Sequence, residues 1–152
     1  MGECEISDII NLRGSYFGIV NPLQIFDRWL HRYVHSDQVR LNNKELYVEW
    51  TDRAQRELDQ ITNPLIVEMQ LYFSCVVKKR VLFHQQVDFD TVAVNEQIQL
   101  AFRSVESDAC SPEVFARDFP EARELNAVSG KMMPNRVSID FKAGVWIGEF
   151  GY

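Results

Sequence analysis

The sequence predicts an α+β fold: one strongly twisted antiparallel sheet of about five or six strands, with two main helices packed on it. Three observations support this class. Residues 65–83 alternate apolar and polar side chains with the period of a β-strand, and residues 137–141 do the same. Two other segments, residues 22–35 and 51–61, carry apolar side chains at helical spacing.

The first helix is predicted over residues 22–35. Asn21 is a suitable N-cap, and Pro22 suits the first helical position because proline has no backbone N–H to lose there. The apolar side chains fall on one side of this helix: Leu23, Phe26, Trp29, Leu30 and Tyr33. Polar side chains occupy the other side, as expected for a helix that packs on a sheet.

The second helix is predicted over residues 51–61, after a short strand at residues 46–50 and a turn at Asn42 and Asn43. Thr51 or Asp52 serves as its N-cap. The helix stops before Pro64, because the residue before a proline is disfavoured in the helical region.

Residues 65–83, LIVEMQLYFSCVVKKRVLF, are the clearest strand signal in the chain. A straight strand of this length would reach roughly 60 Å, whereas a compact domain of this size has a radius of gyration near ~15 Å. The segment must therefore bend. Lys79 interrupts the apolar phase, but no Gly, Pro, Asn or Asp stands there to make a tight turn. A continuous, strongly twisted or bulged strand is favoured over a hairpin. A second long strand, interrupted near Asn95, is expected to lie antiparallel to it.

The chain closes with a predicted hairpin whose turn lies within residues 142–144. A two-residue loop would place Phe141 opposite Trp146. A three-residue loop with Gly144 in the left-handed region would place Glu149 opposite Val137. The sequence leaves both registers open.

The totals indicate a single globular domain over residues 1–152. The net charge of −6 argues against nonspecific binding to nucleic acid or to a membrane surface, since phosphate contacts need a basic face. No apolar run reaches the length of a membrane span. The three cysteines are odd in number and widely spaced, and no signal peptide is evident, so a cytoplasmic protein with free thiols is expected.

Cys75 is the first candidate site. A thiolate becomes reactive when nearby positive charge lowers the pKa of the thiol, and Lys78, Lys79 and Arg80 follow closely. The strand phase nevertheless places Cys75 on the apolar face with Phe73, away from Lys78 and Arg80. Free cysteine is among the most buried residue types, so a core position is the competing interpretation.

Residues 46–75 run in the order strand, helix capped at Thr51 with Ala54 and Leu58 inside, strand, then Cys75. This order is similar to the first half of the A-type (HesB-like) iron–sulfur carriers. The resemblance implies that Cys75 is a thiolate ligand and that the cofactor is a transition metal or an iron–sulfur cluster. The family has a glycine-rich turn at this cysteine and a later Cys-x-Cys pair. Here residues 73–77 contain no glycine, and Cys110 is the last cysteine.

Asp27, His31 and His35 form the second candidate site, because they project from one side of the predicted helix at successive i, i+4 steps. Such a set can chelate a transition metal. It lacks the glutamate of the His-Glu-x-x-His hydrolase motif, and polar residues on the wet side of a helix are commonly just solvated.

Two weaker sets complete the candidates. Lys78 and Arg80 share the polar face of residues 65–83 with Tyr72, where they are candidates for binding an anion or cofactor. The same residues could pair with Glu68 or protect a sheet edge. His84, Asp88 and Asp90, in the connection after residue 83, could hold a divalent ion, although the calcium-loop pattern is absent.

The common catalytic and nucleotide-binding motifs are absent from the sequence. The predicted function is therefore a non-catalytic cytosolic binding or accessory protein whose partner is a protein or a second copy. Its surface would include Trp146, Phe150 and Tyr152. The alternative is a metal or iron–sulfur handling protein that uses Cys75 or the Asp27/His31/His35 set. A small-molecule enzyme with an unidentified pocket is the third hypothesis.

Overall fold

The structure is a computed structural model that describes residues 22–74, 77–107, 123–124 and 132–152, with only the backbone described at 123–124. By contacts, the chain divides into two compact units, Met1–Arg32 and Tyr33–Tyr152. The described part of the first unit holds helix α1 (Pro22–Leu30). The prediction that this helix continues to residue 35 is wrong, because the chain enters an extended strand at Tyr33.

The second unit begins with a hairpin of strands β1 (Tyr33–Leu41) and β2 (Lys44–Thr51). The predicted turn at Asn42 and Asn43 is confirmed, and both residues have positive φ, 49° and 65°. A two-residue turn of this type needs positive φ at both positions, which asparagine tolerates better than most residues.

Strand β1 was not predicted from the sequence, because its residues lack the usual alternation of apolar and polar side chains. Its side chains do alternate between half-buried and exposed. The half-buried positions, however, include His35 and Asp37 as well as Val39. A strand with polar residues on its inward side cannot be recognised from hydrophobic period alone.

Helix α2 (Asp52–Leu58) follows β2 directly, as the capping residues predict. The side chain of Thr51 accepts a hydrogen bond from the Ala54 N–H at 3.2 Å, which satisfies one of the free donors of the first turn. The helix buries Ala54 and Leu58 and ends three residues earlier than expected, with Asp59 as its C-cap.

Residues 65–83 form a hairpin, so the prediction of one continuous strand is wrong. Strands β3 (Leu65–Phe73) and β4 (Val77–His84) pair antiparallel, with Met69 opposite Val81 and Phe73 opposite Val77. Odd-numbered residues face odd-numbered residues in this register. Residues of the same parity therefore share a face in both strands, which is why the sequence resembled a single strand. Pairing with β4 satisfies the backbone hydrogen-bonding groups along one edge of β3. This stabilises the hairpin although the sequence has no Gly, Pro, Asn or Asp to mark its turn.

The next strands are β5 (Val92–Ala93), β6 (Ile98–Glu106) and β7 (Arg123–Glu124). The long strand β6 lies parallel to β3, not antiparallel as predicted, because the chain returns along residues 85–97 before β6 begins. The predicted interruption near Asn95 is confirmed. The Asn95 side-chain oxygen accepts hydrogen bonds from the backbone N–H groups of Gln97 and Ile98, which turns the chain into β6.

Strands β8 (Arg136–Lys142) and β9 (Val145–Gly151) form the closing hairpin. Its turn is the two-residue alternative, Ala143 and Gly144, with φ of 52° and 78°. Phe141 accordingly lies opposite Trp146. Ala143 takes a left-handed conformation that is unusual for a residue with a side chain, which is why the turn chemistry favoured a longer loop.

The strands form two mixed sheets instead of one antiparallel sheet. The four-stranded sheet has the order β1-β2-β8-β9, and the five-stranded sheet has the order β4-β3-β6-β5 with β7 paired to β6. In each sheet, a central parallel pair, β2 with β8 or β3 with β6, joins two antiparallel pairs. The described residues thus form an α+β fold that is mainly sheet, with two helices.

The inner faces of the two sheets enclose one apolar core. Its fully buried members come from both sheets: Leu46, Val48, Val137 and Ile139 from the four-stranded sheet, and Val67, Met69, Leu71, Ile98 and Leu100 from the five-stranded sheet. Strands β4 and β9 meet at one side of this core, where the Phe83 and Trp146 rings stack 5.9 Å apart. The predicted aromatic partner surface is therefore largely inside, since Phe150 is buried and Trp146 packs on the core, while Tyr152 is half exposed.

Candidate functional site

Strand β3 is buried on both faces, so its expected wet face is not wet. The outer face carries Glu68, Gln70 and Tyr72, which are 1%, 4% and 0% exposed. Long side chains of the neighbouring strands, Arg80, His84 and Arg103, contact this face, which the alternation of one strand cannot reveal. The outer face of the five-stranded sheet is our candidate functional site, because it concentrates buried polar groups beside open grooves.

Glu68 is the centre of this site. One carboxylate oxygen lies 2.8 Å from Nε2 of His84, and the other accepts hydrogen bonds from Gln70 at 3.0 Å and from Arg103 at 3.3 Å. These partners come from β4, β3 and β6, which are adjacent strands. A buried carboxylate needs such partners because removal from water is costly. The sequence predicts Glu68 only as a pairing partner. Arg103 could not be predicted, because β6 was expected to run antiparallel to β3.

Phe89 covers this cluster from the connection after β4. Its ring lies 4.5 Å from the Arg103 guanidinium, within the range of a cation–π contact. The His84 and Phe89 rings meet edge to face, with centroids 6.2 Å apart. Glu68 therefore holds both side chains that contact Phe89, and the ring has a defined position.

Phe89 lines two open grooves. The first, of about 290 Å³, has Ile66 and Gln99 among its lining residues. The second, of about 420 Å³, includes Arg103 with Asp88 and Asp90. The acidic residues proposed from sequence for a divalent ion thus lie beside the second groove, whereas His84 contacts Glu68 instead.

Tyr72, Lys78 and Arg80, the predicted cofactor-binding set, all lie on the outer face of the five-stranded sheet. Lys78 is opposite Tyr72 in the β3–β4 register, and Arg80 is opposite Gln70. Arg80 donates a hydrogen bond to Oε1 of Gln70, and its guanidinium lies 5.9 Å from the Tyr72 ring. Burial lowers the pKa of the Arg80 guanidinium, and the negative charge of Glu68 opposes this shift. The three residues are neighbours; anion binding by them stays a prediction.

The predicted metal-binding set is divided between the two units. His31, just beyond α1, has Nε2 3.9 Å from the Asp27 carboxylate. His35 lies on β1, where Nε2 is 2.8 Å from Oδ1 of Asp52 and the ring stacks on Trp50. The helical spacing holds from Asp27 to His31, where the His31 N–H donates to the Asp27 carbonyl, but it does not extend to His35, which lies on a strand.

The cysteine hypothesis falls outside the described residues, as do all three cysteines. Within residues 22–74, 77–107 and 132–152, no group of three or more His, Cys, Asp or Glu side chains is arranged to hold a metal ion. The role of Cys75 as a ligand stays a prediction.

Helix α1 presents an unusual surface. Its apolar side chains are 54–75% exposed: Leu23, Ile25, Phe26, Trp29 and Leu30. The polar residues Gln24 and Asp27 are only partly exposed. This distribution is the reverse of that on a typical surface helix, whose apolar side is the buried one. No residue of α1 is buried.

The four-stranded sheet holds two further carboxylates on its outer face. Glu49 accepts hydrogen bonds from Arg136 at 2.6 and 2.9 Å and from Ser138 at 2.6 Å. Asp140 accepts from Thr51 at 2.6 Å and from Arg53 at 2.7 Å. Burial raises the pKa of the Asp140 carboxyl, but the hydrogen bonds and charge of its partners outweigh burial, so the pKa lies below its ordinary value.

Neither of the helices in the described part of the chain is long and apolar enough to cross a membrane. Comparison of the chain with protein-family models, with curated proteins and with solved structures finds no match.

Proposed function

We propose that the protein is a non-catalytic cytosolic binding protein that attaches to a partner protein through the apolar side of α1. The observation that supports this function is the reversed polarity of α1, whose apolar residues are more than half exposed while Gln24 and Asp27 are partly buried. Contiguous exposed apolar surface is typical of interaction sites, because leaving it in water is unfavourable.

The spacing of the exposed residues indicates the partner's chemistry. Leu23, Phe26 and Leu30 follow the i, i+3, i+7 pattern of helices that lie in an apolar groove, and Trp29 is adjacent. Tryptophan is among the residue types that contribute most to binding energy at interfaces. The expected partner is a protein with an apolar groove long enough for about two helical turns, roughly 11 Å.

The test places a photo-crosslinking amino acid at position 26 or, as a matched control, at position 24 on the opposite side of α1. Crosslinking in extract of the source cells should join one protein at position 26 and not at position 24. That protein, once purified, should bind the wild type, and Trp29→Ser should weaken binding at least tenfold, the effect of a typical hot-spot residue.

Two results would overturn this proposal. The first is crosslinking only to a second copy, together with concentration-dependent self-association that Trp29→Ser abolishes in sedimentation velocity. The second is binding of the purified protein to lipid vesicles with the same dependence on Trp29, in the absence of any protein partner.

The metal or iron–sulfur handling function stays a prediction. Cys75 lies outside the described residues, and His35 lies on strand β1, not on the helix that carries Asp27. Metal analysis of the freshly purified protein, repeated with Cys75→Ser, tests it. Stoichiometric metal that is lost in the variant would favour this alternative over the protein-binding function.

A further inference from the structure

The first groove beside Phe89 is lined by a buried aliphatic side chain and an aromatic ring. Ile66 is 7% exposed and lies between His84 and Gln99 in the registers of β3 with its two neighbouring strands. Phe89 supplies an aromatic wall. A buried aliphatic side chain and an aromatic ring together provide the apolar surface that small-ligand sites usually offer.

The aromatic wall is positioned by the Glu68 cluster. Phe89 contacts the Arg103 guanidinium and the His84 ring, and both of these side chains contact the Glu68 carboxylate. Glu68 is itself almost fully buried. The hydrogen-bonded cluster therefore holds Phe89 in position before a ligand binds. Binding then costs less conformational entropy, because the ring is already ordered.

The groove also contains an oriented hydrogen-bond donor. Thr91 donates its hydroxyl hydrogen to Oε1 of Gln99 at 2.7 Å. This bond fixes the Gln99 amide and leaves its Nε2 hydrogens available to a ligand acceptor. Asn63, Gln85 and Gln86 add further amide groups around the groove.

The charge of the groove defines the ligand class. None of the described residues that line it carries a formal charge, although charged residues make up 25% of the chain. A charged ligand would lose hydration without finding a counter-charge among these side chains. A neutral ligand with an apolar face and a polar edge would find a partner for each.

We propose that the groove between Ile66 and Phe89 is a binding site for an uncharged six-membered ring that packs on Phe89 and hydrogen-bonds to the Gln99 amide. The groove's volume of about 290 Å³ is at the small end for ligand sites and suits one ring. Pyranose sugars and uncharged pyrimidine bases share this chemistry. The site is independent of the protein-binding side of α1.

The experiment is a titration of the full chain, labelled with ¹³C in isoleucine methyl groups and ¹⁵N throughout, followed by NMR. The probes are methyl α-D-glucopyranoside and uracil, with benzoate and benzylammonium as charged rings. One neutral probe should shift the Ile66 methyl and Gln99 side-chain signals saturably, with Kd in the millimolar range typical of fragments. The probe that does so distinguishes a sugar from a base.

Phe89→Ala should weaken binding of that probe at least tenfold, whereas Tyr47→Ala, a remote aromatic on the four-stranded sheet, should leave it unchanged. Should Phe89→Ala fail to fold, Gln99→Ala provides the same comparison. The proposal is overturned if neither neutral probe gives saturable shifts, if the charged rings bind equally well, or if both groove variants bind like the wild type.

Discussion

Glu49 and Glu68 occupy equivalent places in the two sheets. Each lies on a central strand, on the outer face, beside a parallel partner strand. Both are buried, at 7% and 1% exposure. Their partners differ. Arg136, which donates to Glu49, has a side chain 59% exposed, whereas His84 and Arg103, which contact Glu68, are 31% and 25% exposed.

The same sheet topology therefore holds buried carboxylates in two different environments. In the four-stranded sheet, the Arg136 guanidinium remains largely hydrated, so it loses little hydration when it pairs with Glu49. In the five-stranded sheet, the partners are themselves withdrawn from water, so carboxylate and partners depend on one another. The groove and its aromatic wall lie beside the second of these carboxylates.

Glu68→Ala should lower the free energy of unfolding by about 3–5 kcal/mol, because it removes the buried acceptor of a mostly buried guanidinium. Glu49→Ala should cost only about 1–2 kcal/mol, because Arg136 can return to water. Urea unfolding at neutral pH, followed by fluorescence, measures both. An equal or larger loss for Glu49→Ala would contradict the distinction between the two sheets.

Gly148→Ala tests the line where the two sheets meet. A Cβ at Gly148 would lie 2.7 Å from Cγ1 of Val81 and 2.9 Å from Cζ of Phe83, so β9 could no longer approach β4 as closely. We expect a loss of about 1–3 kcal/mol, as for other overpacked sites. Gly151→Ala is the matched control in the same strand, because nothing lies within 4 Å of its Cβ. It should change the free energy of unfolding by less than about 0.5 kcal/mol.

Asp140→Asn tests the other carboxylate of the four-stranded sheet. A folded-state pKa below the unfolded value means that ionised Asp140 stabilises the fold above the ordinary aspartate pKa, and that this stability is lost as the pH falls through the folded pKa. The variant should lose about 1.5 kcal/mol at pH 7. Its difference from the wild type should shrink as the pH drops below about 4. Urea unfolding across this range checks the trend, and a difference independent of pH would refute the assignment.

Asp37→Ala tests the edge of β1 that has no strand partner among the described residues. Counted from the two-residue turn, the N–H of Gln38 points away from β2, and the Asp37 carboxylate accepts its hydrogen bond at 2.8 Å. This contact occupies a donor that another chain could otherwise pair with. The variant should self-associate more in sedimentation velocity, with stability changed by less than about 0.5 kcal/mol. Ser36→Ala serves as control, and equal self-association in both variants would exclude a protective role for Asp37.

Local chemistry was predictable and long-range pairing was not. The helix cap and the turn at Asn42 and Asn43 depend on neighbouring residues only. The sequence predicted the turn and offered Thr51 or Asp52 as the cap, and the structure has Thr51. The parallel direction of β6 depends on the path of residues 85–97. No sequence pattern in this segment indicates in which direction the next strand runs. The hairpin at residue 74 was missed because its register preserves the alternation on both sides of the turn.

The candidate site was predictable only in part. Period placed Tyr72, Lys78 and Arg80 on one face, as the structure has them. The same alternation predicted that this face is exposed to solvent. It is buried because side chains of the neighbouring strands cover it, and alternation within one strand carries no information about them. Arg103 joins the cluster through the parallel strand, so its contact with Glu68 could not follow from alternation. The exposure of the apolar side of α1 also contradicts what its pattern predicts for a packed helix.

The central parallel pairs have a consequence for synthesis on the ribosome. The contact between Glu68 and Arg103 spans 35 residues of chain, whereas the one between Glu49 and Arg136 spans 87. The β3–β6 pair can therefore form while the C-terminal hairpin is still inside the exit tunnel. Strand β2 has no parallel neighbour until that hairpin emerges, so during this interval its edge is open to pairing with another chain or to binding by a chaperone.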